Sequence, residues 1–114
     1  MKVFRYDTVN LEDVDAEDAS KVKVRWLITK EIGAENFAMR IFEIEPQGYT
    51  PLHTHPWEHE VFILDGEGQL FDREKTVPLK ASDVVFVPPN EWHQFRNFGK
   101  KLLRLICLIP YTKE

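Results

Sequence analysis

Residues 53–68 read His53-Thr54-His55-Pro56-Trp57-Glu58-His59-Glu60-Val61-Phe62-Ile63-Leu64-Asp65-Gly66-Glu67-Gly68, and they carry two signals at once. The second half is a short apolar run closed by a glycine-bearing turn. It predicts a strand over Val61–Leu64, a hairpin turn at Asp65–Gly68 and a return strand beginning Gln69-Leu70-Phe71. The first half holds three of the four histidines of the chain, and the fourth, His93, follows Pro88-Pro89-Asn90. Residues i and i+2 of an extended segment point to one side, so His53 and His55 can present two nitrogens to one ion. Pro56 and Trp57 then turn the chain, His59 stands on the next strand, and the Pro-Pro-Asn turn can return His93 to the same place. A neutral imidazole offers one lone pair while its second nitrogen donates to a partner that fixes the ring. The spacing therefore points to a metal site made of His53, His55, His59 and His93.

Working outward, period-two alternation recurs and no segment keeps a helical period over several turns, so the chain reads as all-β. In Val22–Ile28 the row Val22, Val24, Trp26 and Ile28 faces the core. In Phe37–Ile44, Glu43 and Glu45 point to solvent, which sends Arg40, Phe42 and Ile44 inward. Val84–Val87 is a continuous apolar strand ending at Pro88. In Leu102–Ile109 an outward Arg104 puts Leu103, Leu105, Cys107 and Ile109 on the interior row. Leu11–Ser20 is acidic and reads as a solvated loop with at most one short helical turn. No repeat or linker divides the chain, so one domain is expected over 1–114.

The 114 residues are enough to bury about two-thirds of the unfolded surface around one core, and 43% hydrophobic content with eight Phe and three Trp can fill it. A metal is then expected for function rather than for folding. The net charge of −4, with Lys and Arg dispersed along the strands, argues against a nucleic-acid surface. A single cysteine, Cys107, excludes an internal disulfide. No signal-like or membrane-spanning apolar run is evident, which makes the cytoplasm the expected location.

Two stretches resemble the paired signature motifs of the cupin superfamily, G-x5-H-x-H-x3,4-E-x6-G and G-x5-P-x-G-x2-H-x3-N. The first runs from Gln47-Gly48 through His53, His55, Glu58, His59 and Glu60 to Gly66. The second runs from Ser82 through Pro88, Asn90 and His93 to Asn97. Gln47, Ser82 and Asn90 stand where the motifs have glycine, and the motif glutamate falls on His59 or Glu60. Six residues separate His59 from Gly66, as the motif asks. Parity places His59 with Val61 and Ile63 on the inside, which favours His59 as the ligand and leaves Glu58 and Glu60 outward.

The resemblance implies an antiparallel double-sheet jelly-roll barrel with motifs at 47–66 and 82–97, and the set looks like the four-histidine variant of small single-domain cupins. It implies a divalent transition metal, Mn, Fe, Ni, Cu or Zn, with open positions for dioxygen or a chelating small-molecule substrate. That is the site of a metal-dependent oxidoreductase of dioxygenase type. A binding or sensor module without turnover is the alternative, and a sugar isomerase relying on a His/Tyr acid–base pair is a further one. Parity suggests a pocket walled by Val61, Phe95, Leu105 and Ile109, with Trp57 at its mouth. Arg40 and Cys107 are the candidate catalytic side chains. An inward guanidinium calls for a substrate carboxylate or enolate, or for an internal Arg–Glu pair, and Cys107 is either a thiol near the metal or an inert core residue. Ile106, Leu108, Val3, Phe4 and Tyr6 are too apolar for free solvent, and a two-fold homodimer is the expected cover.

Overall fold

The computed structural model describes residues 1–111, so 112–114 of the expected domain span lie outside the described residues. Apart from two 3-10 turns, at Tyr6–Thr8 and Lys30–Ile32, the regular structure is strand. In chain order the strands are β1 (Glu12–Asp13), β2 (Ser20–Ile28), β3 (Phe37–Tyr49), β4 (His59–Asp65), β5 (Glu67–Phe71), β6 (Thr76–Lys80), β7 (Val84–Val87), β8 (Gln94–Arg96) and β9 (Leu103–Pro110).

Every pairing between them is antiparallel, and the long strand β3 is shared by two layers. From Phe37 to Ile44 it lies between β2 and β9, giving the order β1-β2-β3-β9-β4-β7. At its far end Tyr49 pairs with Arg96 of β8, which continues into β5 and β6. The result is a jelly-roll barrel. Its interior is filled by inward residues of both layers, among them Ile44, Ile63, Leu103 and Leu105 from the first and Leu79 and Phe95 from the second.

Sequence alone ends the second long strand at Ile44, before Pro46, whereas β3 continues to Tyr49. The continuation is a bulge: Val22 pairs with Ile44 and Ser20 with Tyr49, so only Lys21 stands opposite Glu45-Pro46-Gln47-Gly48. Extra residues on one strand bend it, and here the bend carries β3 from one layer into the other. Gly48 is required there, because a Cβ would lie 2.8 Å from the Ser20 carbonyl oxygen and 2.9 Å from those of Glu45 and Lys21.

The hairpin expected at Asp65–Gly68 is not one. β4 pairs with β7 and β9, and β5 with β6 and β8, so the turn is a corner between layers. Gly66 takes φ +87° at that corner, and a Cβ would meet the Leu102 carbonyl oxygen at 2.4 Å. The chain thus wraps the start of β9 instead of doubling back. The true hairpin follows, between β5 and β6. Asp72 holds its turn by accepting from the backbone N–H groups of Glu74 at 3.0 Å and Lys75 at 2.8 Å. β6 is invisible in the sequence because Pro78 interrupts it, which an edge strand tolerates.

Two smaller expectations also change. The acidic segment contributes the two-residue strand β1 on β2, and Val14 packs on the core. β7 is half-buried: Val85 and Val87 face in, while Val84 and Phe86 are exposed. β9 keeps the expected parity, with Leu103, Leu105 and Cys107 buried and Ile109 partly buried against the core.

Candidate metal centre

The two histidine-bearing loops are zipped together by backbone. His53 and His93 exchange N–H···O bonds in both directions, at 3.3 and 3.1 Å, and the Asn90 N–H donates to the His55 carbonyl at 2.8 Å. His59 opens β4 on its inner face, opposite Val87. This brings the rings together. Centroids are 5.1 Å apart for His53–His55, 4.9 Å for His53–His93, 4.8 Å for His55–His93, 4.2 Å for His55–His59 and 5.1 Å for His59–His93. Glu60 is exposed on the opposite face of β4.

The ring orientations suit ligation. Nδ1 of His55 donates to the Trp57 carbonyl at 3.0 Å and Nδ1 of His93 to the Glu91 carbonyl at 2.9 Å. Those bonds fix both tautomers and leave each Nε2 as a bare lone pair. Both Nε2 atoms are buried and have no hydrogen-bond partner. Burial also favours the neutral form of His53, His59 and His93, and of none more than His59: it pushes His93 down to about 4 and His59 down to about 2, the latter helped by the nearby histidines and Arg40, and it lowers His53. Ligating atoms of His53, His55 and His93 lie within 4.8 Å of one another. Two nitrogens bound at about 2.1 Å to one ion sit no more than roughly 4.2 Å apart, so a small inward adjustment of the rings closes the set on an ion. These residues fit a transition metal.

The cluster opens on a cavity of about 320 Å³ to which His53, His59 and His93 contribute. Its walls are mostly apolar, from Val24, Trp26, Phe42, Phe95 and Leu105. Of the residues expected there, Phe95, Leu105, Arg40 and Cys107 line it. Val61 is 3% exposed within the core, Ile109 packs on the core, and Trp57 stacks on His55 at 4.5 Å and 3°. Trp26 and Phe42 were legible as inward residues but not as cavity walls, because the register of β2 on β3 is what sets Trp26 beside Arg40.

Arg40 forms no ion pair among the described residues, so the internal Arg–Glu pair is absent. Glu43 instead meets Arg25 at 3.4 Å on the outer face. Arg40 donates from Nη2 to Cys107 Sγ at 3.0 Å, its direct neighbour on β9. Cys107 Sγ also lies 3.5 Å from His59 Nδ1, and burial raises the thiol against the opposing pull of Arg40.

A family model described as a cupin domain matches residues 40–109, which hold both histidine clusters and most of the barrel. The chain is a cupin. It is 36% identical over 93 residues to an oxalate-binding protein of Thermotoga maritima, covering 78% of this chain and 75% of that one. It is 32% identical over 76 residues to a 1-methylthio-D-xylulose 5-phosphate methylsulfurylase of Rhodospirillum rubrum, covering 67% of this cupin but only 49% of that enzyme. Among solved structures, the polyketide cyclase RemF from Streptomyces resistomycificus superposes with a TM-score of 0.91 at 32% identity, covering 96% of this chain and 79% of that one. Among the described residues no helix is long and apolar enough to cross a membrane.

Proposed function

We propose that this cupin holds one divalent transition metal on His53, His55, His59 and His93 and acts as a metal-dependent oxidoreductase on a small organic substrate bound in the adjoining cavity. The observation that carries the reading is the pair of buried, unpartnered Nε2 atoms of His55 and His93, each fixed by a carbonyl on its other nitrogen. A bound ion would supply Lewis acidity toward a chelating oxygen donor and a centre for dioxygen chemistry. The chain's own residues do the rest. Four neutral rings leave the charge of the ion undiminished, Phe95 and Leu105 keep water from the cavity, and Arg40 meets negative charge on the substrate.

Oxygen uptake tests this. Protein loaded with Mn, Fe, Ni, Cu or Zn in turn should consume dioxygen with at least one enolizable or aromatic oxygen-donor compound. His53→Ala and His93→Ala should abolish the uptake while circular dichroism stays unchanged. Full metal occupancy without turnover over a broad panel would instead favour a binding module, the reading supported by the name of the Thermotoga maritima relative. A sugar isomerase is the weaker alternative, since no tyrosine is among the residues that line the cavity.

A further inference from the structure

We propose that Arg40 anchors the carboxylate of the substrate, and that the substrate is a small monocarboxylic acid with an apolar body. This rests on the cavity being the substrate site of the function proposed above. A guanidinium is charged at every physiological pH and presents donors in a planar fork matched to a carboxylate. Arg40 has that fork half-buried, with nothing anionic on it among the described residues. Nε is buried without a partner, and Nη2 reaches only the Cys107 sulfur, a weak acceptor. Among the described residues the one carboxylate that lines the cavity, Asp13, is exposed and forms no ion pair with Arg40.

The fork is nonetheless held. Trp26 and Cys107 flank Arg40 as cross-strand neighbours on β2 and β9, and Phe42 follows two residues along β3. Its guanidinium carbon lies 5.1 Å from the Trp26 ring centroid and 4.8 Å from that of Phe42. Cation–π contact with both rings fixes the group without neutralising it. A positioned cation in an otherwise apolar chamber gains most from a ligand that brings one carboxylate. The remaining walls select the rest of that ligand: Val24, Phe95 and Leu105 bury carbon, and about 320 Å³ is at the small end for ligand pockets, room for a single ring.

Calorimetric titration with benzoylformate, its methyl ester and oxalate tests this on wild-type, Arg40→Gln and Arg40→Lys protein, each metal-free and loaded with Mn. In both forms wild-type protein should bind the acid at least tenfold more tightly than the ester, and oxalate more weakly than benzoylformate. Arg40→Gln should erase the acid preference, leave ester affinity within twofold and leave metal uptake intact, while Arg40→Lys should retain part of the preference. Equal affinity for acid and ester, no binding of the acid, or an acid preference that survives Arg40→Gln overturns the anchor; tighter binding of oxalate overturns the apolar body. Should Arg40→Gln fail to fold, the acid-to-ester ratio of wild-type protein decides alone. Failure to take up metal would sink the metal-dependent function, yet the metal-free titrations would still read Arg40.

Discussion

His93 gives one ring nitrogen to the Glu91 carbonyl and keeps the other bare and buried, so protonation must charge an enclosed atom, and His59 is buried beside the other histidines and Arg40. The folded, metal-free protein therefore holds His93 and His59 neutral far below their ordinary range, at about 4 and about 2, while the unfolded chain takes up protons near 6.5. A depressed folded value stabilises fully above 6.5 and loses that stabilisation as pH falls. Urea denaturation of chelator-treated protein should thus show constant stability from pH 8 to 7 and a steady decline from 6.5 toward 4; a flat profile would contradict the enclosed neutral rings. The motif departures are a second matter of single residues. Gln47, Ser82 and Asn90 all hold left-handed backbone, with φ of 72°, 79° and 66°, so the turns survive the loss of glycine under strain. Gln47→Gly and Ser82→Gly should each stabilise by about 0.5 to 1 kcal/mol in urea melts, and a loss of stability in either would show that its side chain makes a contact worth more than the strain. The gathering of the histidines was legible because histidine is scarce here and its spacing is set by strand parity. The isolation of Arg40 was not: parity sends Glu43 outward, but only the folded chain shows that Arg25 takes it up and that, among the described residues, no other carboxylate pairs with Arg40.

Strand existence was legible wherever alternation or an apolar run went unbroken, as in β2, β4 and β9, and failed where a local rule was broken for topological reasons. Pro46 and Pro78 hid the end of β3 and all of β6, and Gly66 looked like hairpin chemistry when it serves a corner between layers. Which strands pair is a long-range property that local patterning does not contain. The corner makes a sharp prediction: Gly66→Ala adds a Cβ against the Leu102 carbonyl at a left-handed position and should cost more than about 2 kcal/mol. A near-neutral Gly66→Ala melt would contradict the corner. Asn97 explains its place in the second motif in the same terms. It is fully buried, and its Nδ2 donates to the carbonyls of Ile44 at 2.7 Å and Lys101 at 2.8 Å, while its Oδ1 accepts from the Gly99 N–H at 2.9 Å. One side chain therefore ties the bulge of β3 to the loop before β9. Asn97→Ala strands those three backbone groups and should destabilise by about 2 to 4 kcal/mol, whereas a cost below about 1 kcal/mol would mean that water replaces it.

At the scale of the molecule, the outer face of the β9-β4-β7 layer leaves Phe62, Val84 and Phe86 exposed, at 41, 77 and 57%, beside Ile106 and Leu108. The N-terminal segment covers a neighbouring strip, where the Tyr6 ring sits over Arg25 and Arg104 and its hydroxyl accepts from Arg104 at 2.7 Å. An uncovered apolar edge strand invites pairing, and a two-fold copy of the same patch is the simplest complement. The homodimer proposed on that basis predicts a dimer mass in light scattering that falls to a monomer for Val84→Lys with Phe86→Lys; a wild-type monomer at micromolar concentration would dismiss it. The metal site proposed above is one cation held by four rings at the mouth of an apolar cavity. Calorimetric titration of chelator-treated, tag-free protein with Mn and Zn ions tests it most directly. One ion per chain should bind, with uptake abolished by His53→Ala or His93→Ala and weakened at least tenfold by His59→Ala, whereas absence of stoichiometric uptake by wild-type protein would contradict the four-histidine site.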